Sequence, residues 1–479
     1  MTNRREFLTA AGALAMTAAM PMRARAARQD LASDIAILQQ AYTAMHPGLQ
    51  RYLTPMELDQ GFSTLQRAWA ANPSRADAYL SLSRFLSTIR CGHSYANFYN
   101  QSDEVVSELF SGRNRLPFHF RWIGGEMVVT ANGTEALKRG TVIRTIDGEP
   151  TSAILASLLP YTRADGANNA KRVSQLDVLG IDRFEPFDIF YGLTRKRDSR
   201  PFRLATDRGD HVVEAIDLRQ RQAQIPAQVE DDGPVWQVQD EGRGVTRLIM
   251  PGWALYNTKW NWKGWLDGVF ADLATKQVRT LIVDLRGNEG GLDCGDEIIA
   301  RFIDKPLART AYERRVRYRT APKHLDPYLD TWDVSFKDWG KDAIDIGGGF
   351  YRLLESGTDS RAPIMPKGPR FRGKLIVLVD PSNSSATFQF AGLVQSSRLG
   401  LLVGSPTGGN RRGINGGAFF FLRLPASGLE VDLPLIGTFP STPQPDAGVV
   451  PDVTVKETVA DISEGVDAVL GAALAIARA

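Results

Sequence analysis

The stretch Leu375–Gly417 does most to limit what this chain can fold into. It opens with five consecutive apolar residues, Leu375-Ile376-Val377-Leu378-Val379, and turns through Asp380-Pro381-Ser382-Asn383. Ser384-Ser385-Ala386-Thr387 then leads into Phe388–Gln395, and a second apolar run, Leu401-Leu402-Val403, breaks at Gly404-Ser405-Pro406-Thr407-Gly408-Gly409-Asn410. Short apolar runs bounded by turn residues predict buried strands, and the segment between them predicts a helix. The pattern is therefore buried strand, tight turn, helix, buried strand and glycine-rich loop, in an α/β fold. It sets Ser385 at a helix N-terminus, where unpaired backbone N–H groups and the helix dipole favour developing negative charge. A serine nucleophile needs such a place, because its tetrahedral intermediate carries an oxyanion. A serine that only caps the helix gives the same local pattern, and the two roles are compatible.

At 479 residues the chain has room for two or three domains, each with a core. With 43% hydrophobic and 23% charged residues it is neither disordered nor fibrous in composition. Residues 1–26 predict an export signal. Asn3-Arg4-Arg5-Glu6-Phe7-Leu8 has the twin-arginine pattern, Leu8–Met20 is an apolar core too short to span a bilayer, and Ala24-Arg25-Ala26 reads as a cleavage site. That segment holds four arginines and one glutamate, which account for the whole formal net charge of +3. The remaining chain is formally neutral, so electrostatics give no case for nucleic-acid binding, and no later segment reads as a membrane span. Two cysteines, Cys91 and Cys294, exclude a disulfide scaffold and a cysteine-ligated metal site.

From about Gln29 to Ser107 the periodicity is helical, with helices over Asp30–Met45, from Thr54-Pro55-Met56-Glu57 onward, and over Ala76–Ile89. The third closes at Arg90-Cys91-Gly92-His93-Ser94. Of the histidines at 46, 93, 119, 211 and 324, His93 has the setting best suited to reach a cleft. Leu116–Trp122 and Glu126–Ala131 alternate as strands, Arg139–Glu149 is strand and tight turn, Thr151–Leu158 is a helix, and Phe202–Leu218 supplies closing strands. These elements resemble a PDZ-like module interrupted by an insertion at Tyr161–Tyr191. A polar linker, Gln220–Gly233, follows. Beyond it come a strand at Val245–Met250, a helix at Asn261–Thr275, and the buried strand Leu281–Arg286, which runs into Gly287-Asn288-Glu289-Gly290-Gly291. Thr320–Arg370 reads as a long excursion over a cleft, Ala418–Leu424 and Leu429–Leu433 as strands, and Val459–Ala477 as a terminal helix.

Three separated motifs agree in order: Asp284-Leu285-Arg286-Gly287-Asn288-Glu289-Gly290-Gly291, the serine turn Ser384–Gly392, and the loop Gly404–Asn410. With Val449-Val450-Pro451-Asp452 they resemble the tail-specific, or C-terminal-processing, serine peptidases. The resemblance implies a helical domain at 27–111, a PDZ-like module at 112–220 and a crotonase-like α/β catalytic core at 234–479. It implies Ser385 as nucleophile, with the Ala386 N–H and that of Gly290 or Gly291 as oxyanion donors. Many members use a lysine twenty-five positions after the serine, where this chain has Asn410; an acid common three positions after the serine is here Phe388. A tricorn-like branch uses histidine in a Gly-His-Ser setting, which Gly92-His93-Ser94 matches, so His93 becomes the general base. That branch places the orienting acid just before Gly-Val-x-Pro-Asp, making Asp446 the candidate. Assembly of such a site would bring Cys91 and Cys294 near one another, as a disulfide or as two free buried thiols.

The implied function is an exported, periplasmic serine peptidase acting on peptides or unstructured protein tails through an acyl-enzyme. Two other functions fit the same residues: a catalytically silent relative that binds an apolar ligand or a polypeptide, and a serine esterase on the same core. Metal-ligand spacing and nucleotide-binding fingerprints are absent from the sequence, so no cofactor is expected.

Overall fold

The computed structural model describes residues 31–131, 137–225, 233–309, 312–354, 362–368 and 370–479. The export signal read at residues 1–26 lies outside them, as does half of the expected linker (226–232), whose first residues instead end a short helix, Leu218–Gln222. None of the described helices is long and apolar enough to cross a membrane. The structure is mixed α/β, with three six-stranded sheets.

Helices Leu31–Met45, Pro55–Ala70 and Arg75–Thr88 form where the periodicity predicts them. Thr54 and Glu57 make a reciprocal capping box, and Pro55 sits at the first helical position, where its missing N–H costs nothing. The first sheet is antiparallel and runs His119–Ile123, Glu126–Ala131, Val142–Ile146, Phe202–Thr206, Gly209–Val213, with Glu149–Pro150 pairing beside it. Asp147 and Gly148, both at positive φ, make one of its tight turns.

The second sheet carries the α/β character. Its order is Val453–Thr454, Leu401–Gly404, Lys374–Val379, Thr280–Asp284, Val245–Ile249 and Gln237–Gly242. All pairings are parallel except the terminal hairpin Gln237–Gly242/Val245–Ile249. We label Thr280–Asp284 β1 and Lys374–Val379 β2. Both read as unbroken apolar runs because both faces are covered. Leu281, Val283, Leu375 and Val377 pack with Trp253, Phe270, Phe390 and Val394, while Ile282, Ile376 and Leu378 pack with Val469 and Ala473 of the C-terminal helix. That end was expected as one helix but forms two, Val459–Glu464 and Ala468–Arg478. Gly465 takes a left-handed C-cap at φ 74°, and Asp467 caps the second helix.

The third sheet is antiparallel, in the order Leu329–Asp330, Asn415–Leu424 (β3), Leu429–Pro440 (β4), Tyr312–Val316, Phe350–Leu353 and Ala343–Gly347. The Thr320–Arg370 excursion is thus partly built into a sheet edge. Buried residues of the helical region (Leu38, Tyr42), the first sheet (Phe120, Ile143) and the third sheet (Phe420, Leu433) belong to a single apolar cluster. The three regions distinguished in the sequence therefore share a core.

Inside this shared core the Asp188 carboxylate receives Arg221 Nε at 2.9 Å and faces Arg115 Nε at 3.7 Å, all three side chains at most 2% exposed. Arg221 and Arg115 also satisfy the Leu116 and Phe110 carbonyls, so the cluster binds the 161–191 insertion to the segments flanking the first sheet, 110–116 and helix Leu218–Gln222. Removing one partner of a buried pair leaves its opposite charge desolvated. Asp188→Ala should therefore cost about 3–5 kcal/mol in denaturant unfolding, against about 0–1 kcal/mol for an exposed pair. A loss in that lower range would show that Arg115 and Arg221 are held by their carbonyl contacts alone.

Candidate active site

β1 and β2 are paired in parallel, so their carboxyl ends open on the same edge of the sheet, the usual position for a site in an open α/β sheet. β1 exits into the turn Arg286–Gly291 and β2 into Asp380–Ser384. Side chains stitch these two turns together. Asn383 Nδ2 donates to the Leu285 carbonyl at 2.6 Å and the Asn288 carbonyl at 3.1 Å. Thr387 Oγ1 donates to Asn288 O at 2.9 Å, Ser384 Oγ to Glu289 O at 3.1 Å, and the Gly287 N–H to Asp380 Oδ2 at 2.9 Å.

Held this way, Ser385 begins the helix Ser385–Ser396 with φ +52°, in the left-handed region that non-glycine residues seldom occupy. Neither serine caps the helix conventionally: Ser384 is the N-cap residue but makes no side-chain capping bond, its hydroxyl being committed to Glu289 O. The Ala386 N–H belongs to the first turn, where the helix offers no backbone acceptor. Gly290 and Gly291 have φ +106° and +137°. A Cβ on Gly290 would lie 2.8 Å from Ser384 O and 3.0 Å from Ala386 N, and one on Gly291 would lie 2.2 Å from Trp253 O, so both positions require glycine. The Gly290 N–H is taken by Asn288 Oδ1 at 2.9 Å.

His93, on the loop after helix Arg75–Thr88, lines the same cavity as Ser384, Ser385, Gly290 and Gly291. The cavity is about 340 Å³. Its walls include Tyr95, Asn97, Asn100, Tyr256, Trp332, Phe419, Phe421 and Asp432, so the tip of the excursion does face the cleft. The His93 Nδ1 is buried and has no hydrogen-bond partner among the described residues. Burial pulls the imidazole below its usual range; the Asp165 carboxylate opposes that, Arg163 adds to it, and Glu289 opposes it in turn. The ring therefore rests neutral near pH 7, as a proton acceptor must.

Asp446 does not line this cavity. Its Oδ1 accepts from Asn410 Nδ2 at 2.7 Å and the Ala167 N–H at 2.9 Å. The acid beside the histidine is Asp165, almost fully buried, whose Oδ1 accepts the Gly92 N–H at 2.9 Å. Asn410, in the lysine position, is buried and saturated: besides Asp446 it donates to Asp165 O at 3.2 Å and accepts the Arg412 N–H at 2.9 Å. Phe388 is core, packed on Gly409. Cys91 and Cys294 are both free and buried, in different apolar clusters, so of the two expected states the pair of free buried thiols is the one found. Cys91 instead meets Asn415 Nδ2 at 3.3 Å.

Several polar residues at the cavity carried no sequence signal. Lys171, from the insertion, is ion-paired to Glu289 and donates to Ser382 O at 3.1 Å. Arg163 stands 4.0 Å over the Tyr95 ring, bonds to the Gly92 carbonyl and approaches Glu289 at 3.6 Å. Burial would raise the Glu289 carboxyl, but Lys171 and Arg163 outweigh it and hold the group down at about 2. Asp165-Gly166 and Asn168 have turn chemistry, the one feature that could have drawn attention to this loop. No group of His, Cys, Asp and Glu able to hold a metal occurs among the described residues.

Residues 249–455, which carry both turns and the cavity wall from β3 and β4, match the sequence model of peptidase family S41. Among solved structures the chain resembles mature CPAF complexed with lactacystin, at 14% identity and a TM-score of 0.59, covering 91% of this chain and 95% of that one. A CPAF point mutant gives 15% identity and a TM-score of 0.62, over 91% and 94% of the two chains. The photosystem II D1 C-terminal processing protease aligns at 15% identity and a TM-score of 0.40, over 88% and 93%. No curated protein sequence matches the chain significantly. Residues 249–455, which hold the serine turn and its glycine partner, are thus similar to peptidase family S41.

Proposed function

We propose that the protein is an exported serine peptidase that hydrolyses peptides or unstructured protein tails through an acyl-enzyme. The observation that carries this reading is Ser385, held at φ +52° on a helix N-terminus and facing the cavity it shares with a neutral, buried His93. Strain of this kind persists only where surrounding bonds over-determine it, and it concentrates at functional sites. The match of residues 249–455 to a peptidase family supports peptides or proteins as the substrate class. The parallel sheet is read as a crotonase-like core, the 119–213 sheet as a PDZ-like module, and residues 1–26 as the signal for twin-arginine export to the periplasm.

In this mechanism Ser385 Oγ attacks the scissile carbonyl while His93 takes its proton. The Ala386 and Gly291 amides receive the oxyanion, since the Gly290 amide is engaged by Asn288 and shapes the turn instead. His93 returns the proton to the leaving amine, and water then releases the acyl group by the same route. Asp165, not Asp446, is the carboxylate that steadies the imidazolium formed on the way.

A fluorophosphonate probe should label the folded protein once, at Ser385, and labelling should vanish in Ser385→Ala and His93→Ala. Labelling that survives loss of His93 would place the base elsewhere; an unlabelled folded protein would favour the silent binding relative. The pH profile of kcat/KM tests the acid. Because the base must be unprotonated and burial lowers its pKa, the acid limb should lie below pH 6.5, the ordinary histidine value. Asp165→Asn removes a charge that raises the histidine, so the limb should move to still lower pH while kcat/KM falls at least about tenfold. Asp446→Asn should leave the limb in place. The opposite pattern would restore Asp446 as the orienting acid.

A further inference from the structure

The far end of the cavity holds a carboxylate that the reaction does not use. Asp432, on β4, is 6% exposed and lines the cavity with Asn97 and Asn100. Its Oδ2 accepts Asn97 Nδ2 and its Oδ1 accepts Asn100 Nδ2, both at 2.8 Å. Three acids line this cavity. Glu289 is paired with Lys171 and Arg163, and Asp330 with Arg423 at 2.6 Å. Asp432 is the third, and no cation reaches it within ion-pair distance among the described residues. Burial pushes its carboxyl up to about 7; the two amides and, from beyond ion-pair distance, the Arg163 charge offset this only in part. A buried acid without a cationic partner is costly, and a ligand cation would relieve that cost.

The strand register fixes where this acid stands relative to the chemistry. Asp432 is the cross-strand partner of Phe421, so the two side chains share one face of the β3–β4 ladder. Phe419 is on the same face, one two-residue step away, about 6.6 Å along the strand. Its ring centroid is 5.8 Å from that of His93. Trp332 bridges the step, 5.8 Å from both Phe419 and Phe421. An aromatic wall therefore leads from the proposed base to the unpaired acid, along a length that a long unbranched side chain can follow. Aromatic faces hold an alkyl stem and attract a cation, and a carboxylate at the end takes the charged head.

We propose that this end of the cavity is the specificity pocket and that it selects substrates with lysine or arginine on the acyl side of the scissile bond. The inference rests on the peptidase reading, since it names the substrate of that site. Glu289 and Asp330, already neutralised, shape the entrance, and Arg163 is kept from Asp432 by its stacking on Tyr95 and its contacts with Gly92 and Glu289.

The test compares peptide substrates that differ only in that residue: lysine, arginine, norleucine and glutamate. With the full mature chain, kcat/KM for lysine should exceed that for norleucine by on the order of tenfold or more, the usual worth of a desolvated charge pair. Asp432→Asn should collapse the lysine-to-norleucine ratio toward one. Equilibrium binding of the same peptides to Ser385→Ala separates specificity from catalysis. A lysine preference in binding supports the pocket even if no turnover is found, a result that would instead count against the peptidase reading. Equal or stronger binding and cleavage of norleucine would overturn the pocket while leaving a probe-reactive Ser385 untouched.

Discussion

The site depends on one seam, the set of side-chain bonds that joins the turn after β1 to the turn after β2. Parallel pairing brings the two strand ends side by side, but pairing ends at Asp284 and Val379, and the backbone beyond must be held by other means. Asn383, Ser384 and Thr387 reach across to the carbonyls of Leu285, Asn288 and Glu289, and Asp380 takes the Gly287 N–H in return. Each such bond contributes on the order of 1 kcal/mol net, and each would leave a buried polar group orphaned if broken. Together they exceed the roughly 1–3 kcal/mol that an unfavourable φ at Ser385 costs. The strained serine is thus a consequence of the seam, and the two glycines are its complement: any side chain at 290 or 291 would push the turns apart.

Electrostatics around the seam follow from the 161–191 insertion. Lys171 and Arg163 come from it and keep Glu289 ionised beside the glycine turn. Because Glu289 bonds in sequence directly to Gly290, its ion pair also anchors the backbone that faces Ser385. His93 experiences both signs, Asp165 and Glu289 against Arg163 and Lys171, so burial decides its protonation. A neutral imidazole results without a dedicated hydrogen bond at Nδ1, and that nitrogen is free to take one as charge develops on the ring.

What the sequence made legible was local. The Leu375–Gly417 pattern, the glycine exit after Asp284 and the capping box at Thr54 each state their structure within a few residues, and each formed as expected. Gly92-His93-Ser94 could be connected with Ser385 only through the resemblance to a family, and the cavity does bring them together. The carboxylates were the least legible. Asp165 and Asp446 are each short acids in turns, and nothing in their neighbours tells which reaches His93. That choice is made by contacts spanning 73 positions from Gly92 to Asp165 and 36 from Asn410 to Asp446. Asp432 was hidden for a related reason: Leu429-Glu430-Val431-Asp432-Leu433 alternates apolar and acidic residues, the pattern of a strand with its acids outward, whereas β4 continues to Pro440 and both acids are buried. The terminal helix expected at Val459–Ala477 divides at Gly465 and Asp467, which together spell a C-cap followed by an N-cap.

The asparagine at position 410 now has a physical account. In relatives with a serine–lysine dyad this position would supply the base; here its side chain is closed off by three hydrogen bonds, to Asp446, to the Asp165 carbonyl and from the Arg412 N–H. These bonds fasten the loop that carries Asp165 to the loops at 410–412 and 446. A Cβ at Gly166, φ +60°, would lie 2.1 Å from Asp446 Oδ1 and 2.2 Å from Asn410 Nδ2, so the three residues form a packed unit that admits nothing larger. A lysine at 410 could not fit without breaking it, and its charge would be buried against the Asp165 loop. In the proposed mechanism the base comes from the helical side of the cavity, and position 410 with its partner Asp446 forms a strut that holds the Asp165 loop against the Gly92 backbone.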